Sequence, residues 1–364
     1  MSFYDLAADK PSVFAVESDY FIAVPVRRET VMRVDVGDQT YYDHSNGVLR
    51  SKSRIHLVRV PMAALDAAKQ YTVSLKRILK RQSYHSPTGP TCSETFAFRP
   101  VSPEKTRLNV MHIADSHSCR AQAVKNGRWF GDTLDLLILN GDVLEDASAE
   151  SRFQEVYRIA GGITGGEVPC VFSRGNHDLR GRFAELFGII TPARDGVCYY
   201  TFRLGPLGGV VLDCGEDKTD DHAEYGSTVA CHPFRVEETE YLKKAVREPR
   251  VAEAPMRVVV SHVPFTERFP EPFNIEEELY AEWTRLVGLL DPIMLLSGHI
   301  HRFYLTKPGD AKDAYGQTFP TAVASYMNRV DGRRSFGAAA ITLTPGHAVV
   351  RLIMEGNETD RYEI

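Results

Sequence analysis

Five short apolar runs, each closed by Asp, Asn or His, constrain this chain more than any other feature. Leu108 to Ala114 leads into Asp115-Ser116-His117, and Leu136-Leu137-Ile138-Leu139-Asn140 leads into Gly141-Asp142. Val168-Pro169-Cys170-Val171-Phe172 leads into Ser173-Arg174-Gly175-Asn176-His177-Asp178. Val258-Val259-Val260-Ser261 is closed by His262, and Ile293-Met294-Leu295-Leu296-Ser297 by Gly298-His299-Ile300-His301. Apolar runs of this length, bounded by turn residues, read as buried parallel strands. Open α/β sheets place their chemistry beyond the carboxyl ends of such strands, where these polar blocks fall. Taken singly, Asp115 reads as a helix cap and Asp142 or Gly-Asn-His-Asp as a polar turn. Five such blocks on five strand ends predict convergence at one sheet edge. A donor set of Asp, Asn and His without Cys suits hard or borderline divalent metals.

The order Asp-x-His, Gly-Asp, Gly-Asn-His-Asp, His, Gly-His-x-His resembles the calcineurin-like metallophosphoesterase family, with all five blocks intact. The resemblance implies an α/β fold of four layers, two packed mixed β-sheets flanked by helices. It implies two divalent or transition metal ions, Mn, Fe or Zn. Asp115, His117 and His301 would hold the first, Asn176, His262 and His299 the second, with Asp142 bridging. The implied reaction is hydrolysis of a phosphate ester by a metal-bound hydroxide attacking phosphorus. His177 and Asn176 would contact the substrate, His177 would protonate the leaving group, and Asp178 would orient His177. His299 and His301 stand two apart, so an extended segment would turn both to one site and Ile300 into the core. Arg174 is a candidate for neutralising phosphate or pairing with a carboxylate. His222 and Tyr225, in the aperiodic stretch Cys214 to Pro233, are candidates for substrate contact. His112, inside the first run, reads as a core histidine.

The family acts on monoesters, cyclic and linear diesters, phosphoproteins and nucleic acids with nearly one ligand set, so the substrate stays open. A small diester such as a cyclic nucleotide rivals a monoester, because the last block has the same form in the family's cyclic-nucleotide phosphodiesterases. Asp178 stands where phosphoprotein phosphatases typically carry Glu, which argues against a protein substrate. A reading of another class is a non-catalytic interaction scaffold, although such relatives usually have lost ligands. A sandwich before the catalytic domain also resembles the layout of purple acid phosphatases. Those enzymes need a Tyr ligand where this chain has Glu145, and they lack the metal-binding His found here as His117. A coloured tyrosinate centre is therefore not expected.

Residues 1–100 alternate with period two, as in Met32, Val34 and Val36 or Tyr71, Val73 and Leu75. They read as an all-β sandwich of fibronectin type III or immunoglobulin type, with Leu65 to Tyr71 resembling a tyrosine corner. Residues 101–106 read as a linker and 107–364 as the catalytic domain. Helical spacing covers Phe153 to Ile163 and Ile275 to Leu290. Thr321 to Ser325, Ala338 to Thr344 and Ala348 to Met354 are expected to complete the second sheet. The net charge of -5 gives no overall field for nucleic acid or an anionic membrane. The expected partner is a small phosphate ester, with neither nucleic acid nor membrane. Six scattered cysteines and a start without a basic head or apolar run favour reduced thiols and the cytoplasm.

Overall fold

The computed structural model describes residues 2–330 and 333–364. Strands Leu108–Ile113, Leu136–Asn140 and Pro169–Ser173 run parallel and adjacent. Their side chains alternate between two cores, as period two requires. Leu136, Ile138 and Val171 face a second sheet, whereas Leu137, Leu139 and Phe172 face helices on the other side. The main covering helix, Glu150–Thr164, buries Phe153, Val156, Tyr157 and Ala160 along one stripe. It stops at Gly165, whose φ of 67° lets its N–H reach the Gly161 carbonyl.

Met256–Ser261 and Met294–Ser297 are parallel neighbours in a separate six-stranded sheet. Helices Cys231–Ala245 and Glu277–Leu290 cover it through Leu242, Trp283, Leu286 and Val287. The layers are therefore helix, sheet, sheet, helix. The five runs divide three and two between the sheets, so the expected single edge is instead a rim shared by two sheets packed face to face.

Two other expectations change. Thr321–Ala324 joins the second sheet, but Arg333–Thr344 and His347–Met354 belong to the first. Arg333–Thr344 lies antiparallel to Leu108–Ile113, which would otherwise end its sheet as an open apolar edge. The polar strand Asn357–Glu363 then forms the outer edge.

The second change concerns the amino terminus. Strands Ser12–Val16, Asp19–Pro25 and Ile55–Pro61 face a four-stranded sheet of Thr30–Val36, Gln39–Tyr42, Gln70–Ile78 and Thr88–Ala97. Ile22, Val24 and Val58 on one side share a core with Val34, Val73 and Leu75 on the other. The layer of three is not a free sheet. Ser12–Val16 pairs in parallel with Pro169–Ser173, Val13 opposite Pro169, so one ten-stranded sheet runs through both regions. The boundary expected at 101–106 does not separate two hydrogen-bonded bodies. The cause is Ser12-Val13-Phe14-Ala15-Val16 itself, buried at every position as inner strands are. Tyr71 adds to the joint: a tyrosine corner turns its hydroxyl back a few residues upstream, yet here it donates to the Gly166 carbonyl at 2.8 Å. Among the described residues no two cysteines form a disulfide. Among the described residues no helix is long and apolar enough to cross a membrane.

Candidate metal centre

The loops at the shared rim are bent where the polar residues sit. Asp115, His117, Asp142, His299 and His301 all have positive φ, at 57°, 40°, 50°, 68° and 55°. Left-handed backbone is unfavourable for a residue with a Cβ and persists only where the surroundings enforce it. These bends, not an extended segment, aim His299 and His301: the strand ends at Ser297 and Ile300 is only half-buried. The alternation expected from the sequence is thus corrected, although both rings do reach one site. Gly141 shows why the Gly-Asp block needs its glycine. Its φ is 74°, and a Cβ there would meet the His262 ring at 2.5 Å and the Gly175 Cα at 2.7 Å.

Seven side chains converge. His117 Nε2 and His301 Nε2 are 3.1 Å apart, and Asp115 Oδ1 lies 3.3 Å from His301 Nε2. Asp142 Oδ2 lies 3.3 Å from His262 Nε2 and 3.8 Å from His117 Nε2, between the two groups. His299 Nδ1 is 3.0 Å from Asn176 Oδ1. Asp115, His117 and His301 form one cluster with donor atoms within 4.8 Å of one another, and Asp142, His262 and His299 form a second. His117, Asp142 and His177 link them by the same measure.

The electrostatics ask for a cation. Burial alone would raise both carboxyls, but the facing histidines together outweigh it, His262 and His301 at Asp115 and His262, His177 and His117 at Asp142, holding Asp115 down to about 2 and Asp142 lower still. Burial likewise works against charge on His262, yet Asp142 and Asp115 push it up to about 10. His299, half-buried, falls to about 4 through desolvation and the neighbouring His262. Asp115 Oδ1 and His262 Nε2 are buried without a hydrogen-bond partner. His262 Nδ1 lies 2.7 Å from the Asn140 carbonyl, which takes its N–H and directs Nε2 at the carboxylates. A cation among these groups would replace the proton on His262, since ligation needs the neutral ring. The donor set therefore fits metal ions.

The remaining expected residues separate. His177 stands at the centre, its ring 4.7 Å from that of His117 and its Nδ1 3.0 Å from the Glu145 carbonyl. Asp178 does not orient it. The Asp178 carboxylate is fully buried and accepts from the N–H groups of Gly175 at 2.9 Å, Asp142 at 3.1 Å and Leu144 at 3.4 Å. It clamps the loop that presents Asp142, because three backbone donors converge on it. Burial and the Asp142 charge push its carboxyl up, and two of those N–H groups, of Gly175 and Leu144, pull the other way.

Arg174 is likewise not free for phosphate. It pairs with Asp213 at 2.7 Å and lies between the rings of Phe187 and Phe234, each 5.5 Å away. The charge is neutralised inside the wall, which settles its two readings in favour of the carboxylate. His222 has its recorded partners in its own loop, Glu224 and Tyr225, so it does not join the cluster. Tyr225 is buried and donates to Asp217 at 2.9 Å.

Three further residues shape the centre. Asp217, from that same loop, puts Oδ2 3.8 Å from His299 Nε2 while Oδ1 accepts from Lys218 at 3.0 Å. Asn140 ties the two sheets beneath the cluster: its Nδ2 donates to Leu296 O at 3.1 Å and Ser261 O at 3.3 Å. The same amide lies 3.0 Å from His112 Nε2, and His112 Nδ1 is 3.1 Å from Ala324 O. Burial holds His112 down to about 4, which agrees with a neutral core histidine. Glu145 turns its carboxylate to Arg334, 2.6 and 2.8 Å away, and Arg334 also donates to the His117 carbonyl. Asn140 had a sequence signal, as a polar residue closing an apolar run. Asp217 had none.

Two packed mixed sheets with an Asp/Asn/His cluster on their shared rim define a metal-site α/β protein. The family model described as calcineurin-like phosphoesterase matches residues 108–303. The chain belongs to that family, and the family implies a dinuclear metal centre. In fold it is similar to purple acid phosphatase PPD1 from yellow lupin seeds (Lupinus luteus), with TM-score 0.64 and 11% identity over 98% of this chain and 75% of that one. It is also similar to PhoD, with TM-score 0.58 and 11% identity over 98% of this chain and 88% of that one. A curated relative is a probable cyclic nucleotide phosphodiesterase of Fibrobacter succinogenes, 32% identical over 83 residues. That match spans 23% of this chain and 31% of the relative.

Proposed function

We propose that this protein hydrolyses a small phosphate ester at a dinuclear centre held by Asp115, His117 and His301 on one side and Asn176, His262 and His299 on the other, with Asp142 between. The observation that carries this reading is the buried pair Asp115 Oδ1 and His262 Nε2, neither with a hydrogen-bond partner, within that cluster. Manganese, iron or zinc ions there would polarise the phosphoryl oxygens and make a water more acidic. The chain's own residues do the rest. Asn140 fixes the His262 ring, and Asp178 fixes the Asp142 loop. The Glu145 carbonyl takes the Nδ1 proton of His177 and leaves Nε2 facing the cluster, where it can hold a phosphoryl oxygen and hand a proton to the leaving oxygen.

A second reading, a diesterase, is favoured by Asp217. Although Lys218 and Arg180 stand 3.0 and 3.5 Å from its Oδ1, this carboxylate turns Oδ2 to His299 and disfavours a dianionic monoester more than a monoanionic diester. The test is a paired assay of metal-reconstituted protein with p-nitrophenyl phosphate and bis-p-nitrophenyl phosphate. Preference for the diester, shifting toward the monoester in Asp217→Asn, supports the second reading. Preference for the monoester supports a phosphatase, and turnover of neither by protein carrying two metals contradicts both.

A further inference from the structure

The net charge of -5 hides a segregation. Between residues 44 and 93 the chain carries nine Lys and Arg against one carboxylate, Asp66. That is a net of +8, which leaves -13 for the remainder. Asymmetry of this kind indicates an anionic partner even when the total does not.

Much of the positive charge gathers at one end of the amino-terminal sheets, where segments 26–29, 43–54 and 79–87 connect the strands. Arg50, Lys52, Lys80 and Arg81 are exposed there. Among the described residues only Arg50 of these four has a carboxylate partner, Asp43 at 3.4 Å. The same segments expose Val48 at 58%, Leu79 at 55% and Tyr84 at 82%. The 79–87 turn is formed rather than frayed. Gln82 N donates to Ser86 Oγ at 3.1 Å and Leu79 N to the Pro87 carbonyl at 3.0 Å. Arg81 reaches the Leu49 carbonyl at 3.5 Å and ties the two hairpins together. The tip is also anchored on the main covering helix. Glu150, the first residue of the helix after the Asp142 loop, accepts from Ser53 Oγ and Arg54 N, both at 2.7 Å.

We propose that this tip docks the protein on an anionic lipid bilayer. Leu79 and Tyr84 enter the boundary between headgroups and acyl chains, and the surrounding Lys and Arg meet the anionic headgroups. Nucleic acid fits the surface less well, because a phosphate backbone is met by Lys and Arg and gives exposed Val48 and Leu79 nothing to bury against.

The experiment is co-sedimentation of the full chain with phosphatidylcholine vesicles, with and without phosphatidylglycerol. Wild-type protein is expected to bind only the anionic vesicles, and less as salt is raised. The double variant Lys80→Glu/Arg81→Glu should lose at least about tenfold in binding. Leu79→Ser/Tyr84→Ser should lose severalfold at unchanged charge. Circular dichroism should be unaltered in both, since all four side chains are exposed. Absence of wild-type binding overturns the proposal, as does equal binding to neutral vesicles. So does preference for duplex DNA or RNA over vesicles, or a Leu79→Ser/Tyr84→Ser variant that binds as wild type.

Discussion

The two sheets contribute unequally to the centre. The first supplies both carboxylates, Asp115 and Asp142, together with Asn176, His117 and His177, on loops that follow its three parallel strands. The second supplies imidazoles only, His262, His299 and His301. Neither side alone gives two metals a balanced set of donors: the first holds both donor carboxylates, whereas the second side's nearby carboxylate, Asp217, lies 3.8 Å from His299 and pairs with Lys218. The site therefore depends on how the sheets are held against each other. That work falls on Asn140, whose side chain bonds two carbonyls of the second sheet while its own carbonyl holds His262.

The largest effect should come from removing the charge between the halves. Asp142→Asn keeps the shape but takes away the carboxylate both groups share, and metal-dependent hydrolysis should fall by more than about a hundredfold. Steady-state assays at saturating metal would show it, and an unchanged rate would break the division drawn here.

Next comes His112, which lies under the junction. Its folded pKa of about 4 is below its ordinary value of 6.5, so the folded protein takes up its proton later than the unfolded chain does. Its contribution is present above pH 6.5 and is lost as pH falls toward 4, on the order of 3 kcal/mol. Urea unfolding at pH 7 and 4.5 should show that loss in the wild type and less of it in His112→Gln. An identical pH slope in both would remove the histidine from the account.

Asn140→Ala sharpens the comparison, because it leaves every expected metal donor in place. Loss of the side-chain tie between the sheets, with the main-chain carbonyl that holds His262 retained, should lower activity by about 10–100-fold, with weaker metal affinity seen by chelator competition. Smallest is Tyr71→Phe, which probes the joint between the amino-terminal sheets and the first catalytic sheet. An unsatisfied Gly166 carbonyl should cost about 1–3 kcal/mol of stability, read by denaturant titration, with kcat unaffected.

The same division explains what could be read in advance. The ligand blocks were legible because each ends an apolar run, and strand ends are where a sheet exposes polar groups. Which sheet each strand joins was not. The sequence suggests the second sheet for Ala338 to Thr344, yet the open edge of Leu108–Ile113 takes that strand into the first. Ser12–Val16 gave no sign that it would pair with Pro169–Ser173, 153 or more residues away, since long-range pairing leaves no local pattern. The sequence puts Asp178 beside His177 and leaves Arg174 open between phosphate and a carboxylate, and neighbours in sequence do not have to share a target. In the loop they diverge, Asp178 into backbone N–H groups and Arg174 onto Asp213. The bends at His299 and His301 were equally hidden, because positive φ at residues other than glycine is set by tertiary contacts.

The central claim is that the two sheets together hold two ions. Native mass spectrometry of reconstituted protein tests it most directly. Two ions per chain are expected in the wild type, one in His301→Ala and one in His262→Ala, each variant losing the ion on its own side. A wild type that holds a single ion, or variants that both retain two, would contradict it.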